Sequence, residues 1–143
     1  MGSPPQRLLI IAPDEFMPAL QPLVQHKNQS GMSTIALSIS SLIPIFQGVD
    51  DPETIKNVIR YPYENLSTQY VLLVGDAHCF PIRYMSMYGL SAGYPSDPNT
   101  PIPTDGDYIP SDLYYANLYH HTGAYPALVN GAFDNWDRNG NGR

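Results

Sequence analysis

Tyr70-Val71-Leu72-Leu73-Val74-Gly75-Asp76 decides how the rest of the chain is read: an unbroken apolar run closed by a glycine and an acid. A run this short, rich in β-branched and aromatic residues, predicts a strand over Gln69 to Gly75 with both faces covered. Burial on both faces belongs to parallel sheets sandwiched by helices, so the flanking sequence has to supply helices and further strands. Just upstream, Asp51-Pro52-Glu53 offers an N-cap acid at Asp51, a proline at the first helical position and an acid in the electropositive first turn. The helix this predicts runs from Pro52 to Glu64, with Ile55, Val58, Ile59 and Tyr63 on its inner face. Ser33 to Ile39 alternates through Ile35, Leu37 and Ile39 and predicts another strand. Leu20, Leu23, Val24 and the stem of Lys27 recur at helical spacing, predicting a helix over Met17 to Ser30 closed by Gly31. Pro18 suits the first turn of that helix, whereas Pro22 lies deeper and predicts a kink or a late start. Leu8-Leu9-Ile10-Ile11-Ala12, stopped by Pro13, completes the set as the first strand.

Three strands joined by helical crossovers imply an α/β fold, a three-layer sandwich with a mostly parallel sheet and the first strand between the other two. Ligands of such sheets bind at the carboxyl ends of the strands, which directs attention to the segment after Gly75. Beyond residue 80 the sequence changes character. Pro95, Pro98, Pro101, Pro103 and Pro110, with Gly89, Gly93 and Gly106, predict a loop-rich C-terminal half in which only Ile82 to Tyr88 and Leu113 to Leu118 keep strand character. No internal repeat is present. With 143 residues, one core is expected: residues 1–7 read as an expression scar or linker and 8–143 as one subdomain.

Charged residues are only 14% of the chain and its net charge is −6, with the cations scattered; massed phosphate contacts, and so nucleic-acid binding, are not expected. Cys79 is the single cysteine, which excludes an internal disulfide and a zinc site built on several thiolates. No apolar run approaches the ~20 residues of a membrane span. Asp76-Ala77-His78-Cys79 places a thiol, a base and an acid together after the strongest strand. Adjacent side chains rarely converge, however, and an activated cysteine usually takes its base from a distant part of the chain, so a structural turn is the expected reading. His120 and His121 are consecutive, hence divergent on a strand, and read as exposed loop residues rather than as metal ligands. Tyr114, Tyr115, Tyr119 and Tyr125 could stack on a sugar or peptide, but tyrosines also fill sheet rims, and packing is the expected role.

The strongest ligand signal is Asp137-Arg138-Asn139-Gly140-Asn141-Gly142, which matches the opening half of a calcium loop. Asp137, Asn139 and Asn141 would supply hard oxygens at alternate positions, Arg143 its backbone carbonyl, and Gly142 the sharp turn. The closing bidentate carboxylate would lie beyond Arg143. An exposed Asn-Gly turn is the plainer alternative.

Taken in order, Ala19-Leu20-Gln21-Pro22-Leu23-Val24-Gln25-His26-Lys27-Asn28-Gln29-Ser30-Gly31, then Tyr70 to Asp76 followed by Pro81, then Ile109-Pro110-Ser111-Asp112-Leu113-Tyr114-Tyr115 resemble the gingipain family of cysteine peptidases. The tail from Trp136 to Gly142 is similar to a calcium-type loop that often follows those motifs. The resemblance covers the chain from about residue 8 and is specific as a set, each motif alone being weak. It implies a caspase-like catalytic unit of two subdomains, with this chain the first and the histidine and cysteine dyad in sequence after Arg143. No catalytic residue maps onto this chain: Cys79, His78, His120 and His121 do not match the family's catalytic positions. The resemblance further implies a bacterial, secreted parent that cleaves peptide or protein substrates, with the remaining catalytic subdomain as this segment's partner and calcium as its cofactor. A non-enzymatic, calcium-stabilised binding or scaffold module is the main alternative. A flavodoxin-like domain is disfavoured, because Ala12-Pro13-Asp14 stands where a glycine-rich phosphate loop would follow the first strand.

Overall fold

The computed structural model describes residues 6–86, 108–119 and 131–134. Strand β1 (Leu8–Ala12) leads through a single 3-10 turn (Asp14–Phe16) into helix α1 (Met17–Gln29) and strand β2 (Thr34–Ser38). Helices α2 (Ile39–Leu42) and α3 (Asp51–Asn65) precede strand β3 (Tyr70–Leu73). A two-stranded antiparallel sheet of β4 (Arg83–Ser86) and β5 (Tyr108–Ser111) is followed by helix α4 (Leu113–Ala116). The main sheet is parallel, in the order β2-β1-β3, with Leu8 opposite both Thr34 and Tyr70. This is the predicted order. The chain crosses from β1 through α1 to β2 and then returns from β2 through α2 and α3, past β1, to β3; right-handed crossovers that run in opposite directions along the sheet place α1 and α3 on opposite faces.

β1 is buried along its whole length, because it has a strand on each side and a helix over each face. Leu9 and Ile11 point into the main core with Leu42, Ile55, Val58, Ile59, Phe80, Tyr114 and Tyr115. Leu8, Ile10 and Ala12 alternate to the other face and are buried as well. Each such aliphatic side chain contributes about 1.5–3 kcal/mol of transfer free energy, so β1 is the energetic spine of the fold.

α1 carries its half-buried residues where the periodicity predicts them, at Leu20, Leu23, Val24 and Lys27. It runs through Pro22 without interruption and ends at Gly31, whose φ of +82° is the left-handed conformation that closes a helix. Asn28 then clips the turn to β2: its side chain accepts from Thr34 N at 2.8 Å and donates to Thr34 O at 3.2 Å.

Four local expectations are corrected. The cap of α3 is Asp50 rather than Asp51: Asp50 is extended and its carboxylate accepts from Glu53 N at 3.0 Å, leaving Asp51 as the first helical residue. The inner face of α3 is completed by Pro62, while Tyr63 is exposed and leans on Tyr119. β2 stops at Ser38 because Ser41 Oγ donates back to Ser38 O, a side-chain bond that turns the backbone into α2 and takes Ile39 with it. Leu113 to Ala116 is helical rather than extended. The Ser111 hydroxyl accepts from Leu113 N, and a helical turn lets Tyr114 and Tyr115 both enter the core, which alternation along a strand would forbid.

A larger correction concerns β3. Its parallel pairing with β1 is as expected, but Tyr70, Val71 and Leu72 are 53%, 38% and 38% exposed. Among the described residues β3 is an edge strand, so half of its neighbours are missing and an apolar sequence cannot bury itself. Asp137, Asn139, Asn141 and Arg143, with His120, His121 and Tyr125, lie outside the described residues.

Candidate functional site

At the carboxyl end of the sheet, Gly75 turns the chain out of β3 with a φ of +123°. The turn is organised by Asp76. Its carboxylate accepts from His78 N at 2.9 Å, and its carbonyl accepts from Cys79 N at 3.1 Å and Phe80 N at 2.8 Å. The His78 backbone N–H holds the Asp76 carboxyl below the usual carboxylate range. Cys79 Sγ approaches Asp76 O at 3.8 Å and Oδ1 at 3.7 Å, and it would lie 2.9 Å from a Cβ placed on Gly75. The His78 imidazole is 94% exposed and lies 3.6 Å from the same carboxylate, so thiol and imidazole face Asp76 rather than each other. A thiol activated by a base requires hydrogen-bond contact between the two. Among the described residues this turn has the contacts of a structural corner. One strand over, Ser40 Oγ donates to Asp14 at 2.6 Å and lowers the Asp14 carboxyl, which ties the ends of β1 and α2 together.

A second cluster, absent from the sequence reading, lies where α3 meets α4 and residues 131–134. Lys56 is 0% exposed. Its ammonium donates to the Asp134 carbonyl and stands 4.1 Å from the centre of the Tyr114 ring and 5.3 Å from that of Phe133. Arg60 lies over Phe133 at 5.2 Å and Arg83 over Tyr114 at 5.0 Å, giving a ladder of three cations and two rings. Arg83 also pairs with the Asp50 cap at 2.6 Å, fastening the β4–β5 sheet to the start of α3. Burial pushes the Lys56 amine down to about 8, against the attraction of Asp134 and Glu53. The sequence hint was slight: Lys56 lies three residues before Ile59, at the margin of the apolar stripe, where a lysine ordinarily extends its head into water. Tyr114 and Tyr115 are buried, as the packing reading expects, and Tyr115 donates to the Pro81 carbonyl.

Between these clusters runs an open groove of about 1430 Å³ along the outer side of β3, lined by Tyr63, Glu64, Val71, Leu73, Tyr115 and Tyr119. Arg60 donates to Glu64 at 2.9 Å, and Tyr119 donates to the same carboxylate. No cluster of three or more histidine, cysteine or acidic side chains suited to a metal ion occurs among the described residues.

A family model described as Peptidase family C25 matches residues 2–135, almost the entire chain. The chain belongs to family C25, the gingipain family of cysteine peptidases. The match takes in the β2-β1-β3 sheet, the Asp76 turn and the Lys56 ladder alike. No curated protein and no solved structure shows a significant match. No helix among the described residues is long and apolar enough to cross a membrane.

Proposed function

We propose that this C25 chain is the amino-terminal subdomain of the catalytic unit of a secreted bacterial cysteine endopeptidase, caspase-like in architecture, whose nucleophile and histidine reside in a second subdomain. The observation that carries this reading is the Asp76-His78-Cys79 turn, in which the sole cysteine of a cysteine-peptidase family member contacts Asp76 and, among the described residues, makes no hydrogen bond to a histidine. In the complete unit a thiolate from the second subdomain attacks the peptide carbonyl, and a histidine delivers the proton to the leaving amine. The first subdomain contributes a rigid sheet for its partner to dock on. The edge position of β3 among the described residues and the groove beside it support that role, since an apolar edge strand calls for another element to cover it.

The same proposal assigns a calcium loop to Asp137, Asn139 and Asn141, the Arg143 carbonyl and an acid farther along the chain. Calcium takes six to eight oxygens at about 2.3 to 2.6 Å, so these four groups alone underfill its shell. Calorimetric titration tests it in the longer protein: equal calcium affinity with and without Asp137→Ala eliminates this loop as the site.

The catalytic reading is tested by assaying peptide hydrolysis in the longer gene product and in its Cys79→Ser variant. Turnover nearly unchanged by the substitution is the expected result. A Cys79-dependent burst of product from the 143-residue chain overturns it. A longer product that binds calcium but hydrolyses nothing favours the non-enzymatic scaffold instead.

A further inference from the structure

We propose that Lys56 makes the attachment of residues 131–134 to α3 a proton-coupled latch, tightest when the buried amine is neutral and loosened when it takes up a proton. The closed arrangement is well defined. Asp134 N donates to Leu118 O at 3.0 Å, Asn117 Nδ2 donates to Asp134 Oδ2 at 2.6 Å, and Tyr119 bridges Phe133 in antiparallel fashion. Closing this short pair over α3 removes Lys56 from water completely. Among the described residues, its ammonium finds a carbonyl and two ring faces but no carboxylate in ion-pair contact. A buried charge without a directly paired counterion is costly, and the neutral amine avoids that cost while still donating to the Asp134 carbonyl.

The charged and titratable groups around Lys56 come from every element packed on it. Glu53 and Arg60 lie on α3, Asp50 is its cap, Arg83 is on β4, Tyr114 is on α4, and Asp134 is on the closing segment. Asp134 and Glu53 favour the ammonium, Arg83 opposes it, and desolvation outweighs them all, which leaves the amine titrating at about 8. Arg60 and Arg83 are held charged by their acidic partners, and burial raises Tyr114 above its ordinary value of 10. When the segment lifts, Lys56 regains water and returns toward its ordinary value of 10.5. The closed state therefore binds the proton more weakly than the open one, and proton uptake favours opening. The shift from 10.5 to about 8 bounds the change in the open-to-closed ratio at roughly 300-fold, spread across that pH window and saturated below it.

Trp136, two residues past Asp134 and the sole tryptophan, provides the reporter. Acrylamide quenching of its emission, and proteolysis across residues 131–134 referred to a free peptide of the same sequence, are measured from pH 7 to 10.5 in the wild type and in Lys56→Met. Wild-type quenching and cleavage should fall as pH rises through the window. Lys56→Met, permanently neutral and similar in length, should already be protected at pH 7 and show a flat profile. A flat wild-type profile, or a folded Lys56→Met chain that is looser than wild type at pH 7, overturns the proposal. Far-UV circular dichroism establishes whether the variant folds; if it does not, the wild-type profile decides alone.

Discussion

Gly75→Ala tests whether the corner after β3 is as constrained as its geometry implies. Two separate costs arise. A residue bearing a Cβ at φ +123° incurs backbone strain of about 1–3 kcal/mol. The new methyl would also stand 2.9 Å from Cys79 Sγ, 3.4 Å from Phe80 Cβ and 3.7 Å from Pro13 Cδ. Only the first of these contacts is an overlap, and relieving it means displacing a thiol engaged with Asp76, an overpacking cost of about 1–2 kcal/mol. The sum of about 2–5 kcal/mol is a large share of the stability of a domain this size. Urea unfolding of wild type, Gly75→Ala, Cys79→Ala and the double variant separates the parts. Cys79→Ala alone should cost no more than about 1 kcal/mol, because the thiol is only half-buried. In the double variant the overlap is gone and the strain remains, so the two changes should couple favourably by about 1 kcal/mol. A Gly75→Ala chain within about 0.5 kcal/mol of wild type would refute the constrained corner, and strict additivity would refute the contact with Cys79.

Asp50→Ala removes the α3 cap and the partner of Arg83 together, and urea unfolding should register a loss of about 2 kcal/mol, while Asp51→Ala should be nearly silent. Ile11→Ala should lose about 3 kcal/mol by opening a void in the core, whereas Ile35→Ala, 38% exposed, should lose less than about 1 kcal/mol; equal losses would contradict the assignment of β1 as the buried spine. Glu64 is held below its ordinary value of 4.5, first by the Tyr119 hydroxyl and then by Arg60. Its stabilising contribution is therefore present above that value and lost as pH falls through the lower folded one. Tyr119→Phe should remove much of this acid-limb dependence in thermal melts taken below pH 5, and an unaltered limb would show the bond to be energetically idle.

By itself the sequence determined the elements whose information is local. The run Leu8 to Ala12, the helical spacing of Leu20, Leu23, Val24 and Lys27, and the Gly31 stop are readable because periodicity and turn chemistry act over a few residues, and the alternation of elements then fixed the β2-β1-β3 order. That the Asp76-Ala77-His78-Cys79 segment forms a turn was legible for the same reason, since its bonds run between residues two to four apart. Tertiary structure alone decided which apolar run is buried. β1 and β3 read alike, yet burial depends on neighbours: β1 has strands on both sides and β3 ends the sheet among the described residues. It also decided that Leu113 to Ala116 coils, because two adjacent tyrosines enter one core only from a helical turn. Finally, it decided that Lys56 is enclosed. The rings and carbonyl that surround it come from Tyr114, Phe133 and Asp134, more than fifty residues away, and no pattern within α3 contains them.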